Sequence, residues 1–329
     1  MKNKIIPTIL VLCCFVLATV AAAAETGKTE KKKYLPGAFV LLPAKTKMKF
    51  EWTMAPRDKK NLAYAGDIKA QFSIDGGGNP WLSRDNDMLA DMAKGFILRT
   101  GTQFKEFAFL DGGMLYLTED KYLEFIAEPD KKSSPDKNGI IDVSLRPLAS
   151  LPAKECSIFP GEGNILYLSG HDNENGTDGV YVLGGKGSVV KAGDKGSALC
   201  YREVFSAKKP ITAVAGDGKR TYVAMGRMVV ELADAAGGGV KVFFVHPTED
   251  ITGLAFSSRA GLFYSTASCV GYAGTNGCID FMKLPQPSIL MRKNSLYVFI
   301  PDYFGVLKIS NVDDMKKHDF KSKKKTGTE

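Results

Sequence analysis

Four cysteines, Cys156, Cys200, Cys269 and Cys278, and three histidines, His171, His246 and His318, are the downstream residues best equipped for redox, metal or nucleophilic chemistry. In an exported chain the cysteines could form disulfides, and the pairing among the four stays open. Cys269 and Cys278 are expected on neighbouring antiparallel strands at opposite ends of one hairpin, beyond the roughly 7 Å Cα separation that a disulfide spans. No CxxC or paired histidine accompanies them as a zinc ligand set. The chain also lacks GxSxG, HExxH and Walker-type motifs, so no catalytic signature is present. The run HDNENGTDG, His171 to Gly179, collects oxygen donors, and Asp172, Glu174, Asn175 and Asp178 could ligate Ca²⁺, although the spacing departs from the EF-hand register. Asn175-Gly176-Thr177 within it also fits an N-glycosylation acceptor.

What must position these residues is a unit that recurs along the chain: an apolar strand, a turn rich in Gly or Asn, and a second strand centred on an aromatic residue. Clear copies are EFAFLDGGMLYLTEDKYLEFI from Glu106, CSIFPGEGNILYLSG from Cys156, ITAVAGDGKRTYVAMGRMVVEL from Ile211, ITGLAFSSRAGLFYSTASCVGYAG from Ile251 and SILMRKNSLYVFIPDYFGVLKIS from Ser288, with a weaker one at Gln71. The aligned aromatics are Trp81, Tyr116, Tyr167, Tyr222, Tyr264 and Tyr297, separated by 35, 51, 55, 42 and 33 residues. These steps bracket the roughly 40–50 residues of a four-stranded propeller blade. The reading is therefore all-β: a six-bladed β-propeller of four-stranded antiparallel blades. The last copy supplies only three strands, and an open blade would expose unpaired edges. An N-terminal strand is expected to complete it, with Gly37 to Pro43 (GAFVLLP) as first candidate and Lys49 to Thr53 (KFEWT) as second. Two insertions, Glu128 to Gly139 and His171 to Gly179, are expected at hairpin tips as surface decoration.

In such a blade the loop between second and third strands shares a face with the loop linking consecutive blades. That geometry predicts a ligand-binding face built from Arg84, Asp85, Asp87, Glu119, Asp120, His171, Asp172, Arg227, Ser268, Asp302 and Tyr303. Its mixed charge suits hydrogen-bonded recognition of a polar partner, and Arg and Tyr are enriched at binding hot spots.

The ends of the chain set its expected location. Lys2 and Lys4 precede an apolar run, Ile5 to Val20, followed by Ala22-Ala23-Ala24, the pattern of a secretory signal cut after Ala24. Residues 1–24 read as signal, 25–36 as a basic linker, 37–314 as propeller and 315–329 as a Lys-rich disordered tail. The signal carries +2, Glu25 to Lys33 carries +2 and Met315 to Glu329 carries +4, which accounts for the whole net charge of +8. A neutral body with basic ends argues against specific nucleic-acid binding, which places its cations on a folded face. The tail suits peripheral contact with an anionic membrane.

On the repeat pattern of these copies, the chain resembles a six-bladed propeller of the broad NHL and SMP-30/lactonase-like group. The resemblance implies an axial divalent ion held by acidic and amide side chains from different blades. No set of Glu, Asn and Asp is evident in first strands such as AVAGD and GLAFS. The expectation is thus a monomeric, periplasmic or secreted, non-enzymatic propeller that binds an envelope protein or polymer as a scaffold, with no firm cofactor and Ca²⁺ as the candidate. The alternative is a metal-dependent hydrolase or lactonase with an axial ion.

Overall fold

The copies fold as separate antiparallel sheets because each apolar strand ends in a residue that tolerates a tight reversal and each following strand returns alongside it. The computed structural model describes residues 46–317 apart from 56–70, 86, 96, 111–112, 119–121, 128–133, 144–145, 173–174, 184–200, 234–238 and 275–276. The first sheet contains β2 (Phe72–Ile74), β3 (Pro80–Asp85), β4 (Met88–Asp91) and β5 (Ile97–Arg99). The second contains β6 (Phe104–Leu110), β7 (Gly113–Thr118), β8 (Tyr122–Ala127) and β10 (Arg146–Ser150). The third runs β11 (Lys154–Pro160), β12 (Leu166–Asp172), β13 (Thr177–Leu183) and β14 (Tyr201–Ala207), and the fourth β15 (Ala213–Gly216), β16 (Arg220–Met225), β17 (Met228–Ala233) and β18 (Val240–Val245). The fifth is β19 (Gly253–Ser257), β20 (Gly261–Ser265), β21 (Cys269–Gly274) and β22 (Gly277–Lys283). The last joins β23 (Ser288–Arg292), β24 (Ser295–Ile300) and β25 (Gly305–Ser310) to β1 (Lys49–Met54). The architecture is a β-propeller arrangement of four-stranded antiparallel sheets.

Two features depart from the equal blades expected. Five sheets have four strands, but the first has a fifth, β9 (Ile140–Asp142), paired parallel to β5. Arg99 and Asp142 clamp that pairing with bonds of 2.6 and 3.0 Å. The Glu128 to Gly139 insertion is therefore not a hairpin-tip ornament: it leads into a strand that joins the neighbouring sheet. The second departure is at the N-terminus. The strand beside β25 is β1, which contains KFEWT, in antiparallel register from Lys49↔Ser310 to Met54↔Val306; Gly37 to Pro43 lies outside the described residues. Met315, assigned to the tail by sequence, is fully buried in a 3₁₀ helix, Val312–Lys317. The signal and the residues beyond 317 also lie outside the described set.

All six aligned aromatics are buried, with Tyr116, Tyr167 and Tyr264 at 0% exposure. Several bridge neighbouring sheets. Trp81 packs on Phe109 at 5.3 Å, Tyr222 on Phe256 at 5.2 Å and Tyr264 on Phe244 at 5.1 Å between ring centres. The Tyr167 hydroxyl accepts the Gly218 N–H of the next sheet at 3.1 Å. Phe72 of the first sheet meets Phe299 of the last at 5.2 Å, within a shared apolar cluster that includes Ile74, Leu82, Tyr297 and Val306. Bulky rings on second strands thus fill the wedges between sheets.

Candidate functional site

The first strands β2, β6, β11, β15, β19 and β23 together line a cavity of about 300 Å³. Its wall is largely apolar, with polar groups where these strands begin. Glu106 at the start of β6 is the carboxylate among the described lining residues, and Gln71 just before β2 is the amide. Glu106 bonds across to the next sheet, accepting the Ser157 hydroxyl at 2.9 Å and the Ile158 N–H at 2.6 Å. Burial pushes its carboxyl above the ordinary glutamate range, and those two donors only partly offset the shift. The Gln71 side-chain N–H donates to the Lys105 carbonyl, while its Oε1 is buried without a partner among the described residues. Opposite them, the Thr252 and Ser265 hydroxyls lie 3.2 Å apart.

An axial divalent ion, as the lactonase-like group implies, does not fit this donor set. Calcium takes about six to eight oxygens, usually several of them carboxylate. Here one carboxylate already accepts a donor on each oxygen, and the Ser73 hydroxyl oxygen accepts the Phe109 N–H at 3.2 Å.

The described members of the predicted face lie in turns or at strand ends. Asp87 is in the β3–β4 turn, Arg227 in the β16–β17 turn, Ser268 in the β20–β21 turn, and Asp302 and Tyr303 in a 3₁₀ turn between β24 and β25. His171 and Asp172 end β12, and Arg84 and Asp85 end β3. Glu119 and Asp120 lie outside the described residues, as do the side chains of Arg84, Asp85 and Asp172. One linker joins two members: Arg227 donates to the Pro247 carbonyl at 2.9 Å, and Ser268 donates its N–H and hydroxyl to Glu249.

The calcium loop has a different use for its best described ligand. Asp178 binds His171 Nδ1 at 2.6 Å through one oxygen and accepts the Ile211 N–H at 2.9 Å through the other. It thereby ties β13 to the chain entering the next sheet. Glu174 lies outside the described residues, and Asn175 is exposed.

Cys156, Cys269 and Cys278 are free thiols, and Cys200 lies outside the described residues. Cys269 pairs in register with Lys283, and Cys278 with Ala273, at opposite ends of the β21–β22 hairpin. A group that sequence spacing did not reveal surrounds Cys269. His246, Cys269 and Asp280 bring ligand atoms within 4.8 Å of one another. Yet the Thr248 and Glu249 N–H groups donate to His246 Nδ1 at 3.4 and 3.0 Å, which leaves the ring proton on Nε2, facing Asp280 at 3.2 Å. A metal would need that nitrogen bare and its opposite N–H facing an acceptor. The cluster is instead a network closing on Asp280, which also accepts the Tyr264 hydroxyl at 2.7 Å. Burial of Asp280 alone would raise its carboxyl; bonds from Tyr264, Cys269 and His246 outweigh that and hold it below the usual range. Burial pushes the Cys269 thiol up to about 12, which disfavours the thiolate.

Comparison with known proteins gives the fold. The chain superposes on luciferin-regenerating enzyme with a TM-score of 0.51 and 12% identity, covering 80% of this chain and 95% of that one. A gluconolactonase from Xanthomonas campestris gives 0.49 at 10% identity, covering 80% and 89%. An auxiliary nutrient binding protein from Bacteroides thetaiotaomicron gives 0.46 at 8% identity, covering 80% and 76%. No protein-family model and no curated protein matches the sequence. The architecture is that of a β-propeller.

Proposed function

We propose that the axial cavity is the active site of a hydrolase acting on a small lactone or ester, with Glu106 as its general acid-base group. The observation that carries this reading is a buried carboxylate of raised pKa on a cavity that Gln71, whose amide oxygen is buried without a partner among the described residues, also lines. Such a carboxyl exchanges protons closer to neutral pH than an exposed glutamate does. In the proposed reaction Gln71 Oε1 accepts one hydrogen of a water molecule and Glu106 takes the other as the water oxygen attacks the carbonyl carbon. The hydroxyls of Thr252 and Ser265 donate to the oxygen that gains charge. The bond to the leaving alkoxide then breaks, and Glu106 returns its proton to that alkoxide, giving a hydroxy acid from a lactone. A volume of about 300 Å³ suits a single small ring.

The likeness to luciferin-regenerating enzyme is consonant with an enzymatic propeller but carries only the fold. Turnover of a panel of lactones and aryl esters tests the proposal. Glu106→Gln is expected to lower kcat by about 100-fold or more, and chelation with EDTA to leave turnover unchanged. No turnover by the wild type, or full activity in the variant, would refute it; activity lost to EDTA and restored by Ca²⁺ would reinstate an axial ion. We further propose that the five-stranded sheet serves as the sixth blade and that β1 closes the ring, in an exported protein.

A scaffold role is the second reading, favoured by β18. This outermost strand exposes Val240, Val242 and Val245 at 59%, 52% and 53%, an apolar edge to which an envelope protein could add a strand.

A further inference from the structure

A larger cavity, of about 490 Å³, opens between the fourth and fifth sheets and shares no lining residue with the axial one. Four rings form its apolar wall: Tyr222 on β16, Phe243 on β18, Phe256 on β19 and Tyr272 on β21. They are held firmly, since Tyr222 contacts Phe243 at 5.0 Å and Phe256 at 5.2 Å between centres. Gly261, Gly274 and Gly277 on the other wall keep the space open; at Gly277 a side chain would meet nothing within 4 Å. Aromatic walls suit planar apolar groups, which can meet the rings in offset or edge-to-face contact.

Charge in this cavity is unbalanced. Arg220, Lys241 and Lys316 line it against one carboxylate, Glu231. Glu231 is engaged by the Tyr222 hydroxyl at 3.0 Å. It sits opposite Lys241 in register, but no ion pair between the two is formed. Arg220 lies over the Phe256 ring at 5.0 Å, with Asp217 at 3.8 Å outside the cavity. Lys316 donates to the Ser258 carbonyl at 2.7 Å. Burial and the like charge of Arg220 hold the Lys316 amine below its usual value, outweighing the opposite pull of Glu162 and Asp313.

We propose that this cavity binds a small planar carboxylate, its apolar body against the ring-lined wall and its anionic end toward Lys241 and Lys316. Arg220, over the Phe256 ring, adds a third positive group to the lining. The site is independent of the axial reading, and either can fail alone.

Calorimetric titration of the full chain with naphthalene-2-carboxylate tests it, beside 2-naphthamide and 2-naphthylmethylammonium. The carboxylate is expected to bind one to one, at least about tenfold tighter than the amide, and the ammonium not at all. Lys241→Ala and Lys316→Ala should each weaken it about tenfold, whereas Lys283→Ala, at an exposed position outside the cavity, should not. Both cavity lysines are exposed, so unchanged melting temperatures are expected; should Lys316→Ala disturb its helix, Lys241→Gln carries the test by itself. No saturable binding at millimolar probe, equal binding of the amide, or wild-type affinity in the Lys241 variants would overturn the proposal.

Discussion

The Tyr264 ring lies across Gly271, its cross-strand partner, where an added Cβ would come 2.1 Å from Tyr264 Cζ. Its hydroxyl meanwhile supplies Asp280 with a donor. Tyr264→Ala is therefore expected to cost about 3–5 kcal/mol through the cavity it leaves, and Tyr264→Phe about 1–3 kcal/mol through the lost donor; urea denaturation measures both. Glu106 gives a pH signature. Its folded pKa is raised above the unfolded value near 4.5, so as pH climbs the unfolded chain sheds this proton first and stability falls between the two values. Glu106→Gln lacks that titration. Its deficit relative to wild type should shrink from about pH 4 to about pH 7, and a gap that stays constant or widens would contradict the burial argument. The six aromatics were legible because a large ring at a fixed place in a repeat has few uses besides packing. Glu106 and Gln71 were not singled out, although both stand ten residues before the aromatic of their copy, as do Ser157 and Thr212 in theirs. A polar residue at a strand's beginning looks like ordinary turn chemistry until several copies converge on one axis.

At the scale of elements, β1 is held by more than its ladder. Asp314, buried in the last 3₁₀ helix, accepts the Lys47 N–H at 2.7 Å and the Thr46 hydroxyl at 3.3 Å, and Asn311 donates to the Lys47 carbonyl at 3.1 Å. The two ends of the propeller are thereby tied at one edge. Asp314→Ala should cost about 1 kcal/mol by removing the acceptor of the part-buried Lys47 N–H, and deletion of residues 46–54 should lower the melting temperature of the whole protein. Deletion of residues 318–329 should leave it unchanged. Equal melting temperatures for wild type and the β1 deletion would refute the latch. Apolarity favoured GAFVLLP over KFEWT for this place in the sequence reading. An outermost strand needs paired backbone more than a buried face, and β1 is accordingly mostly exposed, with only Met54 buried. The β9 strand was illegible for a related reason: three residues, Ile140–Asp142, are too few to show a period.

At the scale of the molecule, the repeat made the propeller readable while the chemistry stayed hidden, because a propeller's centre is assembled from one or two residues per copy and no local motif survives that division. Export, read from the first 24 residues, is expected to yield a mature protein beginning at or near Glu25, and N-terminal sequencing from the native compartment decides it. The central claim concerns the axis. A crystal structure of the Glu106→Gln protein soaked with a lactone that the wild type hydrolyses tests it most directly. The expected density places the intact ring in the axial cavity, with its carbonyl near residue 106 and the hydroxyls of Thr252 and Ser265. An empty axis with the lactone bound elsewhere would contradict it.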